Sequence, residues 1–460
     1  MNPCLEKRVP MTSKQPSKEE IQSLLAKAQQ PAEDAMKLHA YYQGKMAVIP
    51  KCPVRDFDDF AIWYSPGVAA PCRAIAESPD RVYELTNKGN SIAVISDGSR
   101  VLGLGDIGPE AGLPVMEGKC LLFKYLGGVD AVPIVLDVDS PDEFVETVLR
   151  LQPGFGGINL EDIAQPKCFE ILARLQEEAQ IPVWHDDQQG TATVTLAGLM
   201  NALKVVGKQK EDIRVTFIGA GAAGVAVSRL AFAWGVDPAQ ATVVDALGIL
   251  GPERSDLQEG SPAWHLAQIT NKEGRQGGIP EAMAGVDVVI AYAAPGPGII
   301  QPDWVKTMAK DPILFACANP VPEIWPWEAK AAGAAVVATG RSDFPNQVNN
   351  SLSFPAIFRG VLDVRASTIS DEMCFAAAEA LADCAEDKLD ENHILPKMMD
   401  MEIYPLQAAA VGMQAQAQGF ARRRLSYDQL LDKAEARIGN AQAAADVMMN
   451  EGIIPPVPED

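Results

Sequence analysis

The pattern of hydrophobic and polar residues between positions 156 and 192 predicts a strand, a helix and a second strand. Short apolar runs at residues 157–160 and 181–184 are typical of buried strands. Between them, apolar side chains recur on one face of a helix over roughly residues 165–179, and these are Cys168, Ile171, Leu172 and Leu175. A helical crossover makes such strands parallel, so both strands end at the same edge of one sheet.

Acidic residues follow both of these strands. Glu161 and Asp162 come after the first strand, and Asp186 and Asp187 come after the second. Carboxylates gathered at one sheet edge repel one another, and a divalent cation is the simplest group that offsets the repulsion. Because all the donors are oxygens, the pattern favours Mg²⁺ or Mn²⁺ over zinc. The alternative interpretation is that these acids are solvated loop residues or helix N-caps.

Two further strands, predicted at residues 91–95 and 131–138, also end in acids and extend the parallel sheet. Between them, Lys119 and Arg100 are the notable cations, and Lys119 opens an apolar helical run. A helix N-terminus disfavours a cation, so this position predicts a lowered pKa for the Lys119 ammonium, as a general base requires. A surface lysine whose charged end reaches solvent is the alternative.

The stretch after residue 214 has the features of a dinucleotide-binding unit. An apolar strand at Val215–Ile218 leads directly into a G-x-G-x-x-G turn, and a helix follows to Trp234. The turn comprises Gly219, Gly221, Ala222, Ala223 and Gly224. A helix N-terminus of this kind binds a pyrophosphate, because its free N–H groups and its dipole favour an anion.

The strand that follows this helix supplies the expected acid. A strand at residues 241–244 ends in Asp245, which lies 21 residues after Gly224, close to the ~20 expected for a carboxylate that binds the adenosine ribose. No Arg or Lys comes directly after Asp245, which favours NAD over NADP. Arg254 keeps NADP open as the alternative.

Polar residues that suit a small ligand also lie in loops. Further strands at residues 286–292, 313–316 and 335–338 precede loops that contain Asn319 and Asn350. These asparagines can bind an amide or a carboxylate, but asparagine is also a common loop former. Tyr64 precedes a Ser-Pro-Gly turn that opens a helix near Val68, and taken alone it suits a packed aromatic.

Together these elements predict an α/β protein of several domains. The expected order is an N-terminal catalytic α/β domain with a parallel sheet, a Rossmann-type dinucleotide-binding domain and a helical C-terminus, whose helices include residues 370–387 and 405–424. The predicted boundaries are a flexible tail at 1–30, the catalytic domain at 31–195, the Rossmann domain at 196–365, and C-terminal helices with a tail at 366–460.

The composition and charge of the chain favour some binding partners and cellular locations over others. The chain has 460 residues and a net charge of −22, which argues against nucleic acid or an anionic membrane surface as partner. Its eight cysteines form no C-x-x-C pair and lie in apolar segments, so we expect reduced, buried thiols in a cytoplasmic protein. The N-terminus lacks the apolar core of a signal peptide, and no uncharged apolar run reaches ~18 residues, so no membrane span is expected.

Several motifs, taken in order, resemble the malic enzyme family in its short bacterial form. The resemblance covers about residues 38–424 and rests on WYSPGVAAPC, SDGSRVLGLGDIG, PVMEGKCLLFK, GGVDAVPIVLD, NLEDI, HDDQQGTA, IGAGAAG, ANPVPE and NQVNNSLSFP. It implies oxidative decarboxylation of L-malate to pyruvate and CO₂, with reduction of NAD or NADP and a requirement for Mg²⁺ or Mn²⁺. A homodimer or a larger homo-oligomer is the family expectation.

The resemblance also implies roles for single residues. Tyr64 resembles the general acid and Lys119 the general base, while Arg100 matches a position that binds a malate carboxylate in some members. Other positions match metal ligands or contacts to cofactor and substrate. The matched metal ligands are Glu161, Asp162 and Asp187, with Asp186 in support, and the matched contacts are Thr191, Asn319 and Asn350.

Three other functions fit parts of the same pattern. A malolactic-type enzyme decarboxylates malate to lactate without net reduction of the cofactor. An amino-acid dehydrogenase also joins a lysine-bearing domain to a Rossmann domain, but it needs no metal. A nucleotide-sensing regulatory protein would use neither the acids nor Lys119.

Overall fold

The computed structural model describes residues 31–458, and its first sheet contains four parallel strands. Their order across the sheet is β2-β1-β3-β4. The bounds are β1 Ser91–Ser96, β2 Asp130–Val135, β3 Gly157–Leu160 and β4 Val183–His185. The parallel pairing of β3 with β4, in which Leu160 lies opposite His185, confirms the predicted strand–helix–strand unit. β4 begins two residues later than predicted, after Pro182, which has no N–H to donate to a ladder.

The central strands of this sheet are buried on both faces. All six residues of β1 and all four of β3 are buried, which is the environment of a parallel sheet covered by helices on each side. The connecting helices are α5 Pro109–Gly127, α6 Pro141–Leu151 and α7 Lys167–Glu178. In α7, the four apolar residues of the predicted face are all buried, so the helical periodicity predicted the packing of this element.

The second sheet has six strands in the order β10-β9-β8-β5-β6-β7. Their bounds are β5 Val215–Ile218, β6 Ala241–Asp245, β7 Gly248–Ile249, β8 Val288–Ala291, β9 Ile313–Ala316 and β10 Val336–Thr339. All pairs are parallel except β6 with β7. The two-residue strand β7 is too short to produce a hydrophobic pattern, which is why the sequence did not predict it.

Helices surround this sheet and form the C-terminal part. α8 Thr191–Val206 leads from the first sheet into the second. The other helices are α1 at residues 31–42, α2 Asp59–Trp63, α3 Ala69–Glu77, α4 Val82–Leu85, α9 Ala222–Trp234, α10 Pro262–Ile269, α11 Ile279–Met283, α12 Pro302–Val305, α13 Pro326–Ala331, α14 Phe354–Val364, α15 Asp371–Asp383, α16 Ile403–Ala417 and α17 Tyr427–Asn450. α14 and α17 pack on α5, so the C-terminal helices cover the first sheet's lysine-bearing helix.

The predicted α/β class with a parallel sheet, a Rossmann-type unit and C-terminal helices is confirmed. The helix predicted at 405–424 ends at Ala417, and Gly419 follows with φ +80°, a left-handed conformation that stops helices. The four domain boundaries stay predictions, and the tail at 1–30 lies outside the described residues. Over residues 31–458, none of the helices combines the length and the apolar character that a membrane span requires.

The cysteines agree only in part with the prediction. All seven in the described range are free, but Cys72 is exposed, and Cys52 and Cys384 are only half-buried. Cys72 lies on α3, which buries none of its residues against the rest of the chain. The expectation of buried thiols is therefore wrong for Cys72 and holds only in part for Cys52 and Cys384.

Candidate active site

The acids predicted to meet at one sheet edge do meet there. Glu161 and Asp162 directly follow β3, and Asp187 lies in a π-helical turn that directly follows β4. One carboxylate oxygen from each of these three residues lies within 4.8 Å of the other two. Glu161 is 2% exposed and Asp162 is 4% exposed, so the solvated-loop alternative does not describe them. The acids meet because the parallel crossover brings both strand ends to one edge of the sheet.

Asp162 has an unusual backbone conformation that aims its side chain into the cluster. Its φ is +53°, a region that residues other than glycine rarely adopt. Its backbone N–H donates a 2.9 Å hydrogen bond to Oδ2 of Asp187, and the N–H of Leu102 donates one of 3.4 Å to its Oδ1. Its other oxygen, Oδ2, is buried and accepts no hydrogen bond from any described residue. A buried acceptor without a partner indicates a place for a ligand at this point.

The electrostatics of the three acids also favour a cation. Burial, together with the neighbouring charge of Asp187, raises the pKa of Asp162 to about 7. Burial raises the pKa of Glu161 well above its usual value, although the Lys119 ammonium opposes this. A hard divalent cation offsets the repulsion and favours the ionised forms of Glu161 and Asp162. The all-oxygen donor set suits Mg²⁺ or Mn²⁺, so these residues fit the metal that the motifs implied.

Lys119 lies beside this cluster, but not at a helix N-terminus. It occupies the middle of α5, where its Nζ lies 3.1 Å from Oε1 of Glu161 and forms a second ion pair with Asp186. The side chain is only 11% exposed, and Nζ lies 4.5 Å from the ring centroid of Phe354. The alternative of a surface lysine is therefore wrong.

The predicted lowering of the Lys119 pKa is also wrong. Burial disfavours the ammonium, but attraction to Asp186 and Glu161 outweighs it and raises the pKa of Lys119 above its ordinary value. α5 begins at Pro109 rather than near Lys119, so the helix N-terminus whose dipole would lower this pKa lies away from the lysine. The environment of this lysine is set by carboxylates that approach from other elements.

Asp186 and Asp187 are adjacent in sequence but have different partners. Asp186 is fully buried, pairs with Lys119 and accepts a 3.3 Å hydrogen bond from Nε1 of Trp184, whereas Asp187 belongs to the acidic cluster. Burial raises the pKa of Asp186, while the Lys119 ammonium opposes this. A Cβ at Gly190 would lie 1.9 Å from Oδ1 of Asp186, so this turn closes only around a glycine.

Two residues of the site were not predicted from the sequence. His185 is fully buried, its Nδ1 lies 3.7 Å from Oδ2 of Asp187, and neither ring nitrogen has a hydrogen-bond partner within residues 31–458. Asp97, which follows β1, forms a 2.6 Å ion pair with Lys167. A signal was available for each, since His185 directly precedes Asp186, and Asp97 is one of the acids that end the first four strands.

The dinucleotide motif has the expected backbone. Gly219 has φ +109°, and a Cβ there would lie 2.4 Å from the carbonyl oxygen of Tyr292. A Cβ at Gly224 would lie 1.9 Å from the carbonyl oxygen of Gly219. α9 begins at Ala222, within this motif, which leaves the first N–H groups of the helix free for an anion. These residues fit a pyrophosphate.

Asp245 is the last residue of β6, and its carboxylate already accepts hydrogen bonds from other residues of the chain. Its Oδ1 accepts a 2.8 Å hydrogen bond from the N–H of Leu247. Both of its oxygens also accept hydrogen bonds from Arg254, at 3.1 and 2.9 Å. Arg254 is the residue that left NADP as an alternative cofactor in the sequence analysis. It is paired with Asp245, the predicted ribose-binding acid.

The remaining predicted cofactor and substrate residues lie in segments that follow strands of the two sheets. Thr191 begins α8, immediately after the turn that carries Asp186 and Asp187. A Cβ at Gly190 would lie 3.3 Å from the Cβ of Asn350, which places Asn350 against this turn. Asn319 is exposed in the loop after β9. The side chains of Thr191 and Asn350 thus lie near the acids, and Asn319 lies at the carboxyl edge of the second sheet.

Glu323 is a further residue that sequence reasoning missed. It is fully buried, and its carboxylate accepts hydrogen bonds from the N–H groups of Ala293, at 2.8 Å, and Ala318, at 3.1 Å. It therefore joins the loop after β8 to the loop after β9, which carries Asn319. Burial raises the pKa of Glu323 to about 7. The available signal was an acid that directly precedes the apolar run IWPW.

Tyr64 and Arg100 are not assembled with the other site residues. Tyr64 is 73% exposed, and its hydroxyl makes no hydrogen bond within the described part of the chain. Arg100 is also exposed, and its backbone N–H donates a 3.1 Å hydrogen bond to the carbonyl oxygen of Asp162. This contact places the backbone of Arg100 against the acidic cluster, while its side chain reaches solvent.

Comparison with known proteins agrees with this architecture. Residues 43–176 match the malic enzyme N-terminal domain, and residues 188–416 match the malic enzyme NAD binding domain. The chain is 48% identical over 406 residues to the bifunctional malic/malolactic enzyme of Bacillus subtilis, covering 87% of this chain and 97% of that protein. It is 50% identical over 382 residues to the NAD-dependent malic enzyme of Geobacillus stearothermophilus, covering 83% of this chain and 78% of that protein.

A solved structure has the same fold along nearly the whole length of both chains. The malic enzyme of Entamoeba histolytica superposes with a TM-score of 0.92 at 45% sequence identity, covering 96% of this chain and 93% of that chain. Two family domains, relatives of similar length and a matching fold all agree with the acids, the buried lysine and the glycine turn described above. The chain therefore belongs to the malic enzyme family.

Proposed function

We propose that this protein catalyses the oxidative decarboxylation of L-malate to pyruvate and CO₂, with NAD or NADP as hydride acceptor and Mg²⁺ or Mn²⁺ as the metal. The observation that carries the proposal is the contact between the buried Lys119 and Glu161, a member of the three-acid cluster. In this proposal the contact brings a proton-transfer group beside a site for a hard cation. In this proposal the glycine motif at the start of α9 supplies the dinucleotide site.

Glu161, Asp162 and Asp187 would hold the cation, and the turn from Gly219 to Gly224 would hold the dinucleotide. When bound, the cation supplies Lewis-acid polarisation of the oxygen on C2, and the nicotinamide supplies a hydride acceptor. In this proposal Arg100 binds a malate carboxylate. Asn319, Asn350 and Thr191 contact the substrate and the cofactor. Their positions at the carboxyl ends of the strands support these roles.

Lys119 is the proposed general base for the C2 hydroxyl, because a cation held by the three acids would offset part of the carboxylate charge that raises the pKa of this lysine. Asp186 holds its Nζ in place. The ion pair with the fully buried Asp186 restricts the lysine to one position, as a proton acceptor in a defined geometry requires. Asp186 is in turn held by the indole N–H of Trp184. Tyr64 is the proposed acid that protonates C3, and its role depends on how its segment packs in the assembly.

We further propose that the protein is a homodimer in which the segment around Tyr64 packs against the second copy. Large apolar side chains of this segment are exposed, and an exposed apolar patch is typical of an interface. They are Phe57 at 89%, Phe60 at 47%, Ile62 at 58%, Trp63 at 46% and Tyr64 at 73%. A cytoplasmic location is also proposed, supported by seven free cysteines in the described range.

A malolactic reaction is the second candidate, because the Bacillus subtilis relative at 48% identity is named bifunctional malic/malolactic. Both reactions use the same site residues and differ in whether the reduced cofactor leaves the enzyme. A metal-independent amino-acid dehydrogenase gives no role to the three acids and is less well supported.

The test is a malate-dependent assay of the purified protein with NAD and with NADP, each with and without EDTA. The proposal expects reduced nicotinamide and pyruvate in equal amounts, and loss of both when EDTA is added. Lactate without a change in nicotinamide absorbance would replace it with the malolactic reaction. Turnover that survives EDTA would contradict the metal requirement.

A further inference from the structure

The adenosine-ribose end of the dinucleotide site contains a cluster of three charged residues from the end of β6 and the loop after β7. Asp245 ends β6, and Arg254 and Asp256 lie in the segment that follows β7. The Arg254 side chain is 13% exposed and that of Asp245 is 23% exposed, so the pair is largely shielded from solvent. Asp256 is the more exposed member, at 41%.

The guanidinium of Arg254 uses all its nitrogens within this cluster. Nη1 and Nη2 donate to the two oxygens of Asp245, at 3.1 and 2.9 Å, in a fork-shaped pair. Nε and Nη2 donate to the two oxygens of Asp256, at 2.6 and 2.7 Å. Nη1 also donates to the carbonyl oxygen of Gly248 at 3.3 Å. No N–H group of Arg254 therefore remains directed at a ligand.

The charge of the cluster decides what it can bind. Two carboxylates and one guanidinium leave a net charge of −1 at the place where the Rossmann fold receives the adenosine ribose. A free 2′-hydroxyl, as in NAD, can donate a hydrogen bond to a carboxylate such as Asp245. A 2′-phosphate, as in NADP, carries charge of the same sign as the cluster and needs an arginine with free donors.

We infer that Asp245 and Asp256 hold Arg254 away from the cofactor and thereby make this chain selective for NAD over NADP, an inference that rests on the proposed dinucleotide site. Arg254 is in this view a latent ligand for a 2′-phosphate. Removing the carboxylate of Asp245 takes away the ribose acceptor and frees one N–H donor on each of Nη1 and Nη2 of Arg254. The same substitution then weakens NAD binding and strengthens NADP binding.

The experiment measures binding of NAD and NADP to the purified protein by isothermal titration calorimetry, and repeats it with the fragments 5′-AMP and 2′,5′-ADP. The variants are Asp245→Ser, the double variant Asp245→Ser with Arg254→Ser, and Asp371→Ser. Asp371 is the control, because it forms a similar forked pair with Arg229 on α9 and takes no part in the ribose cluster.

The wild type is expected to bind NAD at least about tenfold more tightly than NADP, the effect of one charged hydrogen bond. Asp245→Ser should raise affinity for NADP and 2′,5′-ADP by about tenfold, and the double variant should lose that gain. Asp371→Ser should keep the wild-type preference. Equal or tighter binding of NADP by the wild type would overturn the inference, as would a double variant that binds NADP as well as Asp245→Ser. Binding of neither dinucleotide would overturn the proposed cofactor site itself.

Discussion

The side chains of Lys119 and Glu161 form a buried ion pair with an N–O distance of 3.1 Å. One partner lies in the middle of α5 and the other directly follows β3. Glu161 also belongs to the three-acid cluster, so the pair links the proposed general base to the proposed metal site. A change in Lys119 should therefore act on proton transfer, whereas a change in Glu161 should act on metal binding. Experiments can separate these two effects.

Lys119→Ala is expected to lower kcat for malate oxidation by about 10²–10⁴-fold, the usual contribution of a general base. Binding of NAD, measured by calorimetry, should persist, because the glycine turn and β6 are separate elements. Lys119→Arg is the matched control, since it keeps a positive charge between Glu161 and Asp186 but cannot accept a proton at neutral pH. Turnover by Lys119→Arg at the wild-type rate would remove the lysine from the base role.

Asp187→Asn should weaken Mn²⁺ binding at least about tenfold, because the site loses one of its three charged ligands while the shape of the side chain is kept. Electron paramagnetic resonance of free Mn²⁺ measures this without turnover. Asp142→Asn serves as control, since Asp142 is 84% exposed and pairs with Arg174 at the surface. Equal Mn²⁺ affinity in the Asp187→Asn variant and the control would rule out the ligand role.

Tyr64→Phe should abolish most of the malate activity, and so should Lys119→Ala. If the exposed Tyr64 serves the site of the second copy, mixing the two inactive proteins under exchange conditions should restore on the order of a quarter of wild-type activity. The reason is that half of the reassorted dimers contain one site with both residues intact. A mixture that stays inactive, although mass spectrometry shows mixed dimers, would mean that Tyr64 acts within its own chain.

Gly190→Ala tests the turn that separates Asp186 from Asp187. The added Cβ would lie 1.9 Å from Oδ1 and 2.9 Å from Cγ of Asp186, so this side chain must leave its position beside Lys119. We expect kcat to fall by on the order of 100-fold through misplacement of the lysine. Gly439→Ala is the control, because a Cβ there meets open space in α17 and gains up to about 1 kcal/mol of helix stability. Unchanged kcat in Gly190→Ala would show that Asp186 does not position the base.

Glu323 should make the stability of the protein depend on pH. Burial raises the pKa of Glu323 to about 7, so the folded state keeps a proton that the unfolded state loses near the ordinary glutamate pKa of 4.5. The folded state therefore binds more protons between these values, and stability falls as pH rises from about 4.5 to 7. The integrated loss is about 3 kcal/mol.

The measurement compares Tm of the wild type and of Glu323→Gln at several pH values from 5 to 8. The glutamine cannot ionise, so the difference in Tm should shift in favour of the variant as pH rises. Glu435→Gln, at an exposed position of α17, should follow the wild type at every pH. A difference in Tm that does not change with pH would contradict the raised pKa.

Much of the architecture is encoded locally and was therefore open to sequence reasoning. Apolar runs and glycine turns predicted β3, β5 and β9 with the bounds that the structure shows, and they predicted the end of α9 at Trp234. The meeting of Glu161 and Asp162 with Asp187 was also predictable, because the ends of parallel strands joined by a crossover share one sheet edge. These inferences need only the chain direction and the periodicity of side chains.

Other features depended on contacts between residues that are distant in sequence. Lys119 and Asp186 are 67 residues apart, and their ion pair gives the lysine a raised pKa where its local sequence predicted a lowered one. The π-helical turn gives the neighbouring Asp186 and Asp187 different partners, and Arg254 turns back onto Asp245. By itself the sequence determined which elements form and which strand ends carry the acids, since both follow from local backbone preference and hydrophobic period. Only the tertiary structure decided which charge pairs with which, because burial and the distances between side chains from separate elements set that choice.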